Sequence, residues 1–105
     1  MTKIYFTKAN GKYVAFRLTG HTGKAERGED VLCAAISTAS QMAVCGIQEV
    51  AKVEAEVEIR EGYLSLKLEN PTNETELIIE TLYRTLVSIC ENEKKYVKLE
   101  VKNEN

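Results

Sequence analysis

The chain has 105 residues, 44% of them hydrophobic and 29% charged, with a formal net charge of −2. Such a composition excludes disordered and fibrous chains, and the length suits one domain with one modest core. The absence of a basic excess argues against a nucleic-acid binder. No stretch approaches the roughly 20 apolar residues of a membrane span. Charged and polar residues interrupt the apolar run of the N-terminal MTKIYFTKANGK, so it does not read as a signal peptide. The expected compartment is therefore the cytoplasm, where thiols stay reduced. Three cysteines without a CxxC pair argue against a disulfide framework or a thioredoxin-type redox site.

In chain order, Ile4 and Phe6 alternate with Lys3, Tyr5 and Thr7. After Asn10-Gly11, Val14, Phe16 and Leu18 alternate with Tyr13, Ala15 and Arg17, which predicts a first hairpin with those three residues facing inward. From Asp30 to Ala51 the chain reads as a helix, with Asp30 as its N-cap and a body rich in Ala and Ser. Between Val53 and Glu61, Val53, Ala55, Val57 and Ile59 alternate with Glu54, Glu56, Glu58 and Arg60. Past Glu61-Gly62, Leu64, Leu66 and Leu68 alternate with Tyr63, Ser65 and Lys67, predicting a second hairpin. Pro71-Thr72-Asn73 opens a second helix, where Asn73 and Glu76 have capping-box spacing and Ile78, Leu82, Leu86 and Ile89 form the apolar stripe. Val97, Leu99 and Val101 mark a last strand, followed by the polar tail KNEN.

The predicted order is ββαββαβ. Alternating strands bury one sheet face and wet the other, so both helices must cover the same side. The expected fold is a two-layer α+β sandwich with about five strands, mostly antiparallel, spanning 1–105 as a single domain. Its core is thin, which makes a homodimer a reasonable way to cover apolar surface.

The segment Gly20–Ser37, GHTGKAERGEDVLCAAIS, concentrates the chemistry. It holds the only histidine, His21, the only aspartate, Asp30, and one cysteine, Cys33. A cysteine in a first helical turn meets the positive end of the helix dipole and unpaired N–H groups, which favour the thiolate. A neighbouring imidazole can take or return the proton, and the same N–H groups can hold an oxyanion. Asp30 either orients His21 or caps the helix. Ser37, one turn after Cys33, either contacts substrate or is a small residue chosen for close packing; Ser40 continues its stripe. Cys45 and Cys90 lie among apolar residues and read as core. A zinc site from the three cysteines and His21 lacks ligand-pair spacing, so no metal or cofactor is expected. The row Glu54, Glu56 and Glu58 reads as the wet face of a sheet.

Gly20-His21 followed by GEDVLCAAIS from Gly28 to Ser37 resembles the signature of the ribosomal-processing cysteine proteases of Firmicutes and related bacteria. The likeness extends over the chain in length and element order. It departs at Thr22, where alanine is usual, and mildly at Leu32. The resemblance implies a single cysteine protease domain that removes the N-terminal extension of large-subunit ribosomal protein twenty-seven, cutting after a paired-aromatic motif. It places nucleophile and base on Cys33 and His21, and matches Gly20, Gly28, Asp30 and Ser37 to other signature positions. It further implies a homodimer, a mobile loop over the site, and a peptide segment of a ribosomal protein precursor as partner. On this reading Cys33 attacks the scissile carbonyl, and His21 protonates the leaving amine and then activates water. The empty enzyme is expected to hold His21 and Cys33 beyond ~3.2 Å, the outer limit of hydrogen-bond reach.

Two other readings compete. A thioesterase-type hydrolase would use the same dyad on small thioesters. A non-catalytic module would bind the ribosome or another protein through the charged sheet face.

Overall fold

The computed structural model describes residues 1–20 and 27–104, with 27–30 described by backbone alone. The elements are β1 (Thr2–Ala9), β2 (Lys12–Thr19), α1 (Arg27–Cys45) continued by a π-helical turn (Gly46–Val50), β3 (Ala55–Arg60), β4 (Tyr63–Leu68), α2 (Asn73–Cys90) and β5 (Val97–Glu104). The sheet runs β3-β4-β2-β1-β5, with β1 and β5 parallel and the other neighbours antiparallel. This is the α+β, ββαββαβ sandwich that the strand periodicity requires. The helices act as crossovers: α1 carries the chain from β2 past the place of β4 to β3, and α2 carries it from β4 to the far edge at β5.

The core lies between the sheet and the helix layer. Ile4, Phe6, Phe16, Leu18, Leu64, Leu66 and Leu68 come from the strands, Leu32, Ile36, Ala43 and Ile47 from α1 and its π-helical turn, and Ile79, Leu82 and Leu86 from α2, all buried. The hairpin turn of β1 and β2 has Asn10 at φ 53° and Gly11 at φ 77°. Two positive-φ residues in a two-residue turn match the right-handed twist of the strands they join.

The first hairpin departs from simple alternation. Thr7 pairs with Ala15 but Lys8 pairs with Tyr13, so Val14 is the extra residue of a β-bulge. The bulge shifts the phase by one, and Tyr13 rather than Val14 becomes the buried residue. The Tyr13 ring sits edge-on to Phe6, with centroids 5.8 Å apart. Its hydroxyl donates to Glu80 Oε1 at 2.6 Å, and its backbone N–H donates to Glu76 Oε1 at 2.8 Å, which ties β2 to α2.

Both helix starts differ from the spacing rules. α1 begins at Arg27, so Asp30 is its fourth residue and not its N-cap. α2 is capped one residue earlier than expected, by Thr72. Thr75 N donates to Thr72 Oγ1 at 3.1 Å and Thr72 N to Thr75 Oγ1 at 2.8 Å. Accordingly Thr75, Ile79, Leu82, Leu86 and Cys90 form the buried stripe, while Ile78 and Ile89 are half-buried.

Three further expectations are corrected. Val31–Val50 is long and apolar enough to cross a membrane by length and composition alone. However, it presents Leu32, Ile36, Ser40, Ala43 and Ile47 to the core at helical spacing, as a helix layered on a sheet does. Cys45 is exposed, because it falls on the outer face of α1; Cys90 is buried as expected. The polar tail KNEN belongs to β5 as far as Glu104, since Lys102, Asn103 and Glu104 pair with Thr7, Lys8 and Ala9 of β1.

Candidate active site

The connections converge at one end of the sheet, where β1 and β4 begin and β2 and β3 end. Gly20 follows β2 at φ +125°, and its N–H donates to the Gly62 carbonyl at 3.1 Å. A Cβ there would lie 2.4 Å from the Met1 carbonyl oxygen, so only glycine lets the N-terminus pass this closely. Thr2 N–H in turn donates to the Tyr96 carbonyl at 2.9 Å.

Helix α1 crosses this end and presents Cys33, half-buried. A cleft of about 290 Å³ opens beside it. Thr2, Cys33, Ser37 and Gln41 line its helix side, and Ile59, Arg60 and Tyr63 line its hairpin side. Cys33 Sγ lies 3.1 Å from Thr2 Oγ1. Ser37 is half-buried one turn on, and its Oγ accepts from Gln41 Nε2 at 3.2 Å. The Arg60 guanidinium stacks 4.0 Å from the centroid of the Tyr63 ring, which stiffens the opposite wall.

The sequence-predicted residues fare unequally. Cys33, Ser37 and Gly20 line one cleft. Ser40 does not join them: it is fully buried and donates to the Ile36 carbonyl at 2.8 Å. Gly28 is the second residue of α1 and Asp30 the fourth. His21, Thr22 and the Asp30 side chain lie outside the described residues, as does the expected His21–Cys33 separation. Cys33 is the seventh helical residue, in the second turn and not the first. The unpaired N–H groups belong to the first four residues, and the dipole effect fades within the first turn. Activation by the helix end is therefore weaker than the sequence suggested.

Sequence reasoning missed Thr2, Gln41, Ile59 and Tyr63. Alternation places Ile59 inward, yet it is 54% exposed at the cleft rim. It sits at the end of an edge strand, beyond the reach of the helix layer. The only signal for Thr2 was its phase: it precedes Ile4 and Phe6 on the inward face, where a hydroxyl is out of place.

The other cysteines contrast with Cys33. Burial, with Glu93 nearby, pushes the Cys90 thiol up, as suits an inert core residue. Among the described residues no group of three or more His, Cys, Asp or Glu side chains is arranged to hold a metal. Two of the larger hollows, of about 740 and 490 Å³, lie along β3 and over the open sheet face. Neither is lined by a cysteine or a histidine among the described residues, so neither offers a sulfur nucleophile.

Among solved structures, SMU.848 from Streptococcus mutans shares 26% identity over 99% of both chains, with a TM-score of 0.87. An essential ribosomal processing protease Prp from S. aureus, in complex with a substrate peptide, shares 22% identity over 97% of this chain and 100% of that one, at 0.88. The same protease with a covalently linked product peptide gives 23%, the same coverage and 0.85. Among curated proteins none matches. The family model of cysteine protease Prp matches residues 1–98, a span that takes in the whole cleft and the Gly20–Ser37 signature. This chain therefore belongs to the cysteine protease Prp family.

Proposed function

We propose that this chain is a cysteine endopeptidase that removes the N-terminal extension of a large-subunit ribosomal protein, number twenty-seven, with Cys33 as nucleophile and His21 as its acid-base partner. The observation that carries this reading is a half-buried Cys33 lining a cleft of about 290 Å³, in a member of a cysteine protease family. The S. aureus relative, solved with a substrate peptide and with a covalently linked product peptide, supports a peptide substrate and a covalent step. Family membership also removes the ground for a thioesterase or a non-catalytic module.

In this reading the Cys33 thiolate attacks the scissile carbonyl carbon and the carbonyl π electrons move to oxygen. Collapse expels the amine, which takes a proton from His21. Water, deprotonated by His21, then attacks the thioester, which releases the acyl group as the carboxylic acid and restores the Cys33 thiolate beside protonated His21. Because Cys33 lies in the second turn of α1, past the unpaired N–H groups of the first, the oxyanion needs donors from the cleft. Ser37, held by Gln41, and the Gln41 amide are polar groups on that wall, beside the Thr2 hydroxyl. Ile59 and Tyr63 supply apolar surface for substrate side chains. Asp30 is the fourth residue of α1 and not its N-cap, so of the two roles weighed for it we assign it that of orienting His21.

We place the enzyme in the cytoplasm, where the thiol stays reduced, and take it to act as a homodimer. A hollow of about 300 Å³ between α1 and α2, lined by Met42, Gly46, Leu77 and Ile78, supports the latter. The test of function is mass spectrometry of a peptide spanning the precursor's N-terminal extension. One cut by wild type, absent with folded Cys33→Ala and His21→Ala, is expected. A cut that survives Cys33→Ala would overturn the reading.

A further inference from the structure

The start of β1 supplies a hydroxyl where the fold asks for a hydrocarbon. Thr2, Ile4 and Phe6 alternate toward the core, and all three are buried, Thr2 to 5% exposure. A buried hydroxyl without a partner is costly. Here its partner is the sulfur of Cys33, 3.1 Å from Oγ1 and 31 residues away in sequence. The position of Thr2 is fixed from two sides: its N–H is held by the Tyr96 carbonyl, and Met1 passes under Gly20 where no side chain fits. Being β-branched, Thr2 also has restricted χ1 freedom. The hydroxyl is thus set against the sulfur by backbone geometry.

We propose that Thr2 is a positioning residue for the Cys33 nucleophile: its hydroxyl donates a hydrogen bond to the Cys33 thiolate, holding the sulfur at the cleft and favouring the charged form. With Cys33 in the second turn of α1, this bond supplies stabilisation that the helix end does not. When the sulfur is a thiolate it has no proton to give, so Thr2 is the donor. Once the sulfur is acylated, the charge that strengthened the bond is gone. The inference rests on Cys33 being the nucleophile, but the bond itself is measurable without any peptidase assay.

The test compares wild type with Thr2→Val, which keeps the shape and removes the hydroxyl, and Thr2→Ser, which keeps the hydroxyl. Iodoacetamide alkylation of Cys33 is followed against pH by peptide-resolved mass spectrometry, which separates it from exposed Cys45. Thr2→Val should move the alkylation midpoint up by about one unit, with roughly tenfold slower alkylation below it and no loss above it. Thr2→Ser should restore the wild-type midpoint. On the precursor peptide, Thr2→Val should lower kcat/KM about tenfold near pH 7, mostly through kcat. Coincident alkylation profiles for all three proteins would overturn the proposal. A shifted midpoint in a chain that cuts no peptide would uphold the hydrogen bond and sink the peptidase reading instead. If Thr2→Val proves misfolded by thermal melting, the pair Thr2→Ser and Thr2→Ala makes the same comparison without the branched methyl, with the same two outcomes.

Discussion

Tyr13 illustrates how one residue can overrule a pattern. Its hydroxyl donates to Glu80, which also accepts from Arg84 Nε at 2.7 Å. Burial, followed by the bond to Glu80, pushes the Tyr13 phenol up; the Tyr13 and Arg84 bonds hold the Glu80 carboxyl below its ordinary value. A carboxylate whose pKa is lower in the folded state adds stability above its unfolded value and loses it as pH falls through the folded one. Tyr13→Phe should therefore destabilise the protein by about 1 kcal/mol near pH 7. The gap from wild type should close as pH drops below about 4.5, the ordinary carboxylate value. Urea melts of both proteins between about pH 3 and 7 measure it. Gly20 offers a second check at this scale. Gly20→Ala places a methyl against the Met1 carbonyl, with a cost of roughly 1–3 kcal/mol in thermal melts. It should also slow Cys33 alkylation, since Thr2 follows Met1.

At the scale of elements, the strands were more legible than the helix ends. Strand alternation is a two-residue repeat imposed by the sheet, and it identified Ile4, Phe6, Phe16, Leu18, Leu64, Leu66 and Leu68 as buried. It failed at Val14, where a bulge adds a residue, and at Ile59, where an edge strand outruns its cover. Helix starts depend on which of several adjacent polar residues takes the cap. Asn73-x-x-Glu76 and Thr72-x-x-Thr75 are one residue apart, and the packing of Thr75 into the core selects the second. Thr72→Ala should then cost about 1 kcal/mol by thermal melting, and Asn73→Ala a few tenths.

For the whole molecule, the open question of surface concerns the helix layer. Met42 and Leu77, 69% and 70% exposed, flank the hollow between α1 and α2. Leu77→Glu is expected to shift the protein to monomer in light scattering while leaving its melting temperature, measured as monomer, nearly unchanged. A wild type that is monomeric at assay concentration would remove the homodimer from the proposed function.

Two kinds of information separate here. The element order, the two-layer plan, the buried sheet face and the candidate Gly20–Ser37 cluster are written in local periodicity and short spacings, so the sequence by itself determined them. Where α2 begins is a competition between neighbouring caps, and the packing of Thr75 into the core decided it; α1 begins at Arg27, which puts Cys33 in its second turn. Thr2 meets Cys33 only because the start of β1 lies beneath α1, a pairing across 31 residues that no periodicity encodes. The cleft likewise exists only once both hairpins and α1 meet at the same end of the sheet.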